Sequence, residues 1–392
     1  MKKYFFFAVA ALLSMAACTN ISLKDETPET PVRFAVINHL QQTKAQTLPY
    51  GGMTYPTGVP FGTFAWWTQN AWTGIAADQD YVFMDNVKVA YNSGTWAPVS
   101  TYYWTKSGYI TFASYSPYTA DGTDNGYSAL PAYNAANGFI FNDYTIVDAT
   151  NVDLMYADLA ANCTQQTNEN GSQVTDEGDS GFKGVPTIFN HALCQINFAF
   201  RAIGFMNPNV DRIQIDVQDV DIVNITNKST FTQNNTPKWA DNRAAAALTD
   251  YDFAPASTLE LPMLDASDPA VVSATDNYTD LGVSRIILPQ TLLNSADAIS
   301  TTSDQMLVVT YTIKMHYTTA PADESDPKYW ATESIVSKVR LYNGTITSWL
   351  DNQNITYRIS INPYVGQAIT FDPAVAPWTD VYSTDVNLRE ND

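Results

Sequence analysis

The stretch Ile188–Arg201, with the sequence IFNHALCQINFAFR, decides the fold class of this chain. Its alternate residues from Ile188 to Phe200 are all apolar except Asn190, whereas the residues between them are mixed. An alternation with a period of two puts the two sets of side chains on opposite faces of a pleated strand. β-Branched and aromatic residues, which fit a long helix poorly, are frequent in the stretch. We therefore expect one long β-strand, which separates two β domains of different composition.

Composition and charge restrict the class of protein. The chain has 392 residues, enough for two domains with cores, and is 45% hydrophobic, 13% aromatic and only 15% charged. The 23 Tyr and 9 Trp residues favour sheets with many turns over helices. The formal net charge of −20 repels phosphate groups, so we expect neither nucleic-acid binding nor docking onto anionic lipid.

The first 18 residues have the pattern of an export signal. Lys2 and Lys3 precede the apolar run Tyr4–Leu13, which is too short to anchor the chain across a bilayer. Small residues stand directly before Cys18, as in the lipobox of bacterial lipoproteins. We expect residues 1–18 to be a lipoprotein signal peptide with its lipidated Cys18, whose acyl chains hold the protein in a membrane. An ordinary signal peptide cut after Ala17 is the alternative.

The remaining chain divides by composition into four segments. The polar residues 19–31 are expected to be a tether. We expect residues 32–184 to form an N-terminal β-sandwich domain and residues 185–378 a C-terminal one. Residues 379–392 remain as a C-terminal tail.

Several runs within the two domains predict strands or loops. Gln305–Tyr317 and Ile355–Pro363 alternate strongly and predict core strands. The polar, Gly-rich stretches Thr119–Tyr144 and Cys163–Gly184 predict surface loops, and Asn224–Ala247 a polar insertion. The sequence contains no heptads and no long helical stripe, so the spacing of strands and turns predicts sandwiches rather than βαβ units.

Residues with catalytic or ligand-binding chemistry are scarce. The phosphate-loop, dinucleotide, zinc-protease and serine-hydrolase motifs are all absent from the sequence. His39, His191 and His316 fall within predicted strands, where a structural role is commoner than a catalytic one. Asp121–Gly126 lacks the spacing and closing Glu of a calcium loop, so a plain turn is expected. We expect no cofactor, no metal and no enzymatic activity.

Two further cysteines, Cys163 and Cys194, follow the signal segment. Export would allow a disulfide between them. Cys194 lies on the apolar face of its predicted strand, which favours a buried free thiol. Free thiols are therefore the first expectation, and a disulfide is the alternative.

A set of short motifs, in order along most of the chain, resembles those of the fimbrillin family, the FimA- and Mfa-like pilins of Gram-negative anaerobes. The motifs are Tyr102–Trp104 with Gly108–Pro117, Asp153–Ala157, Val185–Leu193, Leu288–Leu292 and Ile369–Trp378. The resemblance implies an all-β fold of two tandem transthyretin-like antiparallel β-sandwich domains. It also implies export as an outer-membrane lipoprotein and assembly with other pilin subunits into a type V pilus.

The resemblance further implies proteolytic maturation. In the family a protease, typically Arg-specific, cuts in the loop that follows the first strand. The first strand here is predicted at Val32–Leu40, and the loop after it contains Lys44 and Ala45, with Lys44 in place of the usual Arg. Arg33 is an alternative site, although a cut there would leave the strand attached.

The tail Thr379–Asp392 is a candidate donor strand. A modest amphipathic alternation is formed by Tyr382, Thr384, Val386 and Leu388. We expect this strand to enter the groove that Val32–Leu40 vacates in the next subunit. A frayed terminus or an edge strand of the second domain is the alternative.

Two functions from different classes fit these features. The first is a structural subunit of a pilus, which supports cell adhesion. The second is a monomeric surface lipoprotein or pilus-tip adhesin that binds a glycan or host protein through its loops. Trp66–Trp67 and Tyr102–Trp104 could stack on sugars, although strand aromatics are more often core residues.

Overall fold

The computed structural model describes residues 30–38, 55–147, 152–165, 184–203, 208–243, 248–267, 278–293, 304–342, 344–363 and 369–377. Within these ranges the chain forms twenty-one β-strands and one short 3₁₀ helix, Ala76–Gln79. The predicted all-β class is therefore confirmed, and its transthyretin-like detail stays a prediction. No helix in these ranges has the length and apolar character needed to cross a bilayer.

The strands are numbered in chain order. Those before residue 192 are β1 (Phe34–Asn38), β2 (Phe61–Thr68), β3 (Val82–Asn92), β4 (Thr95–Pro98), β5 (Tyr109–Ser116), β6 (Ala132–Asn134), β7 (Gly138–Thr145), β8 (Met155–Ala157), β9 (Ala160–Cys163) and β10 (Val185–His191). Those after it are β11 (Cys194–Ala202), β12 (Val210–Thr226), β13 (Lys228–Thr232), β14 (Leu248–Asp252), β15 (Leu259–Glu260), β16 (Leu264–Asp265), β17 (Thr279–Ile287), β18 (Met306–Tyr317), β19 (Ala331–Arg340), β20 (Gln353–Ile361) and β21 (Ile369–Pro377).

We call the strands before residue 192 the first block and those after it the second block. The first block is organised around one eight-stranded sheet. Its strand order is β2-β3-β4-β1-β10-β8-β5-β9, and β2 also pairs with β5. That extra pairing closes seven of the strands into a ring around an apolar core. Aromatic side chains such as Phe34, Phe61 and Phe112 fill this core. The short strand β1 is one link of the ring.

The second block consists of two sheets that enclose a second core. One sheet has the order β17-β11-β20-β21, and the other has β14-β12-β18-β19, with β15 and β16 also paired to β12. The strands predicted at Gln305–Tyr317 and Ile355–Pro363 are present as β18 and β20. Their alternate apolar residues, Leu307, Val309, Tyr311, Ile313, Ile355, Tyr357, Ile359 and Ile361, are buried in this core.

The stretch Ile188–Arg201 forms two strands, so the prediction of one long strand was wrong. β10 belongs to the eight-stranded sheet and β11 to a sheet of the second block, with a bend at Ala192–Leu193 between them. The Ala192 N–H donates to the Leu154 carbonyl (2.8 Å), and the Leu193 carbonyl accepts from the Asn352 N–H (3.0 Å). Both bend residues are apolar and buried, so the apolar alternation continues across the break. The sequence pattern therefore gives no sign of the bend.

A fourth sheet joins strands from both blocks, and it corrects the predictions of a surface loop at Thr119–Tyr144 and a polar insertion at Asn224–Ala247. Thr119–Tyr144 contains β6 and nearly all of β7, and Asn224–Ala247 contains β13. The three strands pair in the order β13-β7-β6. Buried aromatic residues hold them together, and Phe231 stacks on Phe141 with ring centroids 5.4 Å apart. These aromatic residues lie among polar residues in the sequence, so the strands that contain them were not predicted.

The cysteines Cys163 and Cys194 are free and buried, as expected. The Cys194 thiol donates to the Ile287 carbonyl (3.3 Å), and the Cys163 thiol donates to the Ala160 carbonyl (3.4 Å). Burial raises the pKa of Cys163 to about 12 and raises the pKa of Cys194 further. Both thiols therefore stay protonated and unreactive at neutral pH.

Candidate functional site

The surroundings of residues 30–38 form a site that we call the first-strand seat, made of β4, β10 and Tyr102–Trp104. The Val32 N–H donates to the Tyr102 carbonyl (2.8 Å), and the Trp104 N–H donates to the Thr30 carbonyl (3.0 Å). The Arg33 carbonyl then accepts from the Val185 N–H (2.7 Å). The first strand therefore changes its hydrogen-bonding partner at Arg33.

Beyond Arg33, β1 lies between two strands of the ring. It runs parallel to β10, from Phe34 opposite Val185 to Asn38 opposite Phe189. On its other side it meets β4 only where Phe34 lies opposite Trp96, in antiparallel orientation. β4 keeps β3 as a partner and β10 keeps β8, so neither depends on β1 for all of its pairing.

Inward side chains fix the first strand in its seat. Val32 and Phe34 are buried, Val36 is half-buried, and Arg33 is exposed. The Phe34 ring packs edge-on against Phe61 and Phe112, with centroids 5.5 and 5.6 Å apart. Complete burial of such a side chain stabilises a fold by about 1.5–3 kcal/mol, so Val32 and Phe34 are the main anchors of the strand.

Gly184 forms the floor of the seat at the point where the strand changes partner. Its φ of +122° is rare for residues with a side chain, and a Cβ there would lie 2.6 Å from the Arg33 carbonyl oxygen. The Cβ position is fixed by the backbone of residue 184 and the atoms it would meet are backbone atoms of Arg33 and Phe34, so no side-chain rotation can relieve the contact. The close approach of the two backbones therefore requires glycine at this position.

We expect Gly184→Ala to loosen the first strand without unfolding the second block. Strain at such a position costs on the order of 1–3 kcal/mol, so the amides of residues 30–38 should exchange hydrogen faster. Hydrogen exchange with mass spectrometry measures this directly. Gly58→Ala is the matched control, because a Cβ at Gly58 would meet no atom within 4 Å. Equal protection of residues 30–38 in both variants would contradict the assigned role of Gly184.

Loss of β1 would open the ring between β4 and β10. The exposed edges would carry unpaired N–H and carbonyl groups, and the core around Phe61 and Phe112 would be uncovered. An extended strand from another chain can pair with such edges by β-augmentation. The seat can therefore bind a strand, and its chemistry is hydrogen bonding and apolar burial.

The structure bears differently on the two candidate cleavage sites. The Arg33 side chain is exposed, but its carbonyl is hydrogen-bonded to Val185 and the adjoining residues are buried in the seat. A protease needs the scissile segment free and extended, so docking of β1 protects the bond after Arg33. Lys44 and Ala45 lie outside the described residues, and cleavage between them stays a prediction.

The other predicted site residues also lie outside the described residues. They are the lipidation site Cys18 and the donor-strand residues Tyr382, Thr384, Val386 and Leu388. Their roles stay predictions. Gly184 and Trp96 were not predicted from the sequence as parts of the seat. The one sequence signal for Gly184 is its place directly before a strand.

His191, His316 and the Asp121 loop have local structural partners. His191 is buried with its Nδ1 2.7 Å from Asp153 Oδ2, and His316 pairs in the same way with Asp211. His39 lies outside the described residues. Asp121 accepts hydrogen bonds from the side chain and the N–H of Thr123, which lower its pKa and form the expected plain turn.

A group of three carboxylates, which sequence analysis missed, lies on β12 and β14. Oxygens of Asp219, Asp221 and Asp252 lie within 4.8 Å of one another, a spacing at which carboxylates can hold a divalent cation. Burial raises the pKa of Asp221 to about 6, with further contributions from the charges of Asp219 and Asp252. The spacing of Asp219 and Asp221 by two residues on one strand was the available signal.

We expect Asp221→Asn to stabilise the protein at neutral pH only. The pKa of Asp221 is about 6 in the fold and about 3.9 unfolded, so its ionisation removes stability as pH rises through this window. The variant should raise the free energy of unfolding at pH 7 by about 1 kcal/mol, since partial exposure screens the charges. Denaturant unfolding at pH 3.5 and pH 7 tests this, with Asp85→Asn, an exposed acid on β3, as the control. A pH-independent difference would contradict the expectation.

Comparisons with known proteins agree with the fold. The model of the fimbrillin-like family matches residues 56–378. A fimbrial protein from Bacteroides vulgatus is 20% identical, with a TM-score of 0.58 over 89% of this chain and 99% of that one. This likeness shows a shared fold.

Two other solved structures resemble the chain more distantly. A putative cell adhesion protein from Bacteroides uniformis is 14% identical, with a TM-score of 0.41 over 91% of this chain and 100% of that one. The fimbrilin FimA from Porphyromonas gingivalis is 10% identical, with a TM-score of 0.40 over 90% and 97%. No curated protein matches the chain. Because the family model spans nearly all of both blocks, the chain belongs to the fimbrillin-like family.

Proposed function

We propose that this chain is a structural subunit of a type V pilus, exported as an outer-membrane lipoprotein and polymerised by strand exchange after proteolysis. The observation that carries the proposal is the position of β1. One short strand near the start of the chain closes a ring whose other strands keep partners of their own. Such a strand can leave and be replaced while the rest of the sheet stays paired.

In the proposed mechanism, a cut between Lys44 and Ala45 leaves the first strand held only by the contacts of the seat. The tail of another subunit then enters parallel to β10, with Tyr382, Thr384, Val386 and Leu388 as its alternating side chains. In this chain the tail follows β21, which pairs with β20 in the second block. Each subunit thus has an acceptor in the first block and a donor after the second, and repetition of the contact builds a filament.

Partners and location follow from the same proposal. The partners are other pilin subunits, and the precursor contacts the outer membrane through the lipid on Cys18. The assembled form belongs to a fimbrium on the cell surface, where it supports adhesion. Membership of the family supports these assignments and a structural rather than an enzymatic role. The net charge of −20 supports the exclusion of nucleic acid.

The alternative of a monomeric or tip adhesin that binds a glycan has less support. Of the two clusters proposed to stack on sugars, Trp66 and Trp104 are buried in the core. Trp67 is half-buried and packs against Tyr81, and Tyr103 is exposed. The aromatic clusters are therefore mainly core, and the seat remains the better supported site.

Maturation at Lys44 is tested by substitution. We expect the Lys44→Gln chain to stay uncut on the cell surface and to form no filaments, because its first strand remains covalently attached and occupies the seat. Lys24→Gln is the control, since a cut in the tether would not release the strand. Immunoblots and electron micrographs of the producing cells provide the measurements. Normal processing and normal filaments from Lys44→Gln would exclude Lys44 as the maturation site.

A further inference from the structure

Tyr55 is the first described residue after β1, and it lies deep in the core of the first block. Its side chain is only 2% exposed. Its hydroxyl is hydrogen-bonded to Ser116 Oγ (2.5 Å), and burial raises its pKa. A large side chain anchored in this way has one defined position in the core.

The Tyr55 ring contacts both strands that flank β1. It stacks on Phe189 of β10, with ring centroids 4.9 Å apart and the planes inclined by 25°. It also packs edge-on against Trp96 of β4, with centroids 5.2 Å apart. Phe61, which itself contacts Phe34, lies 6.1 Å from the Tyr55 ring. Tyr55 therefore connects the two sides of the first-strand seat from within the core.

The contacts of Tyr55 with Trp96 of β4 and Phe189 of β10 do not involve β1. When β1 leaves, its backbone hydrogen bonds to β4 and β10 are lost, and the direct link between these strands through the sheet disappears. β4 and β10 are then separated by two strand spacings, about 9.5 Å. They could move together and close the ring with one strand fewer, which would cover the uncovered core but destroy the acceptor.

We propose that Tyr55 is the positioning residue that keeps the first-strand seat open and at the correct width after β1 has left. The inference rests on the proposed strand exchange. The ring occupies the space under the missing strand, and the Ser116 hydrogen bond holds it there. A strand from another subunit then meets an acceptor that is already formed, which lowers the cost of ordering on binding.

The inference also assigns a limit to maturation. Tyr55 lies on the C-terminal side of Ala45, so a cut between Lys44 and Ala45 removes β1 and retains Tyr55. A cut beyond Tyr55 would remove the spacer together with the strand. The segment between β1 and Tyr55 is thus where cleavage leaves a competent acceptor.

The test measures uptake of a labelled peptide with the sequence of residues 30–40. The full chain carries Cys18→Ala and a recognition site for a specific protease between Lys44 and Ala45. After cleavage, the released segment is removed in mild denaturant and the protein is returned to native buffer. Fluorescence anisotropy then gives the affinity for the peptide.

Tyr55→Leu is compared with Tyr144→Leu as its matched control. Tyr144 is also a fully buried tyrosine, but it contacts Tyr127 and Trp239 and neither side of the seat. Tyr55→Leu loses the ring contacts with Trp96 and Phe189, which connect the two sides of the seat, and the contact with Phe61. We therefore expect its affinity for the peptide to fall about tenfold. Tyr144→Leu should bind within about twofold of the unsubstituted protein. Tyr55→Phe keeps the ring and loses only the Ser116 hydrogen bond, so its affinity should fall by less than that of Tyr55→Leu.

Each outcome decides between the proposals. Equal affinities of the Tyr55→Leu and Tyr144→Leu proteins would overturn the role of Tyr55 while leaving strand exchange intact. Failure of the protein with native Tyr55 to take up the peptide would contradict strand exchange itself, and the inference would fall with it. If Tyr55→Leu does not fold as a precursor, Tyr55→Met takes its place, since methionine fills much of the volume but cannot stack as a flat ring.

Discussion

A chain that ends at Trp378 is expected to fold and to be cleaved like the full chain but to form no filaments. The truncation removes the whole predicted donor strand, including Val386 and Leu388, while the seat in the first block remains. Burial of each of these two side chains in an acceptor would contribute about 1.5–3 kcal/mol, and the backbone hydrogen bonds would add mainly register. Loss of the donor should therefore abolish assembly. Native gels and electron micrographs of the cleaved protein measure filament formation.

The matched controls keep the tail but change one face of it. Val386→Asp with Leu388→Asp puts charge on the face expected to be buried, and should prevent assembly like the truncation. Ser383→Ala with Asn387→Ala changes the opposite face and should leave filaments intact. The truncated chain should still cap a growing filament as an acceptor. Ladders from the truncated chain like those of the full chain would show that the tail is not the donor.

Phe34→Ala is expected to destabilise the precursor strongly and the assembled subunit hardly at all. Phe34 is 3% exposed and contacts Phe61 and Phe112, so its truncation should lower the free energy of unfolding by about 3–5 kcal/mol. In the assembled subunit the first strand has left, so the substitution no longer touches the core. Denaturant unfolding of the precursor and of purified filaments gives the two values.

Phe34→Leu is the control for this comparison, because leucine refills most of the seat and should cost clearly less than alanine in the precursor. A loss of unfolding free energy in the precursor but not in the filament subunit distinguishes strand exchange from a permanent role of Phe34 in the core. If Phe34→Ala destabilised the filament subunit as much as the precursor, the first strand would have to remain in its seat after assembly.

The sequence predicted those elements whose own residues carry the pattern. β18 and β20 alternate over their whole length, and their apolar faces are buried as expected. The first strand, predicted at Val32–Leu40, is likewise present as β1 within the described residues. The break between β10 and β11 was missed because Ala192 and Leu193 are themselves apolar and buried.

Features that depend on partners distant in sequence could not be predicted. The parallel pairing of β1 with β10 joins strands at the two ends of the first block in sequence, and no local pattern encodes this pairing. β13 has few apolar residues, and its position depends on Phe231 packing against Phe141 of the first block. Tyr55 carries no strand or helix pattern in the sequence around it, so its role at the seat emerges only from its contacts with Phe189 and Trp96.

The central claim is that the first strand leaves its seat when subunits assemble. N-terminal sequencing of subunits from purified filaments tests this most directly. The account predicts a single start at Ala45, with residues 32–40 absent from the assembled chains. Assembled subunits that begin at Cys18 and still carry residues 32–40 would contradict it.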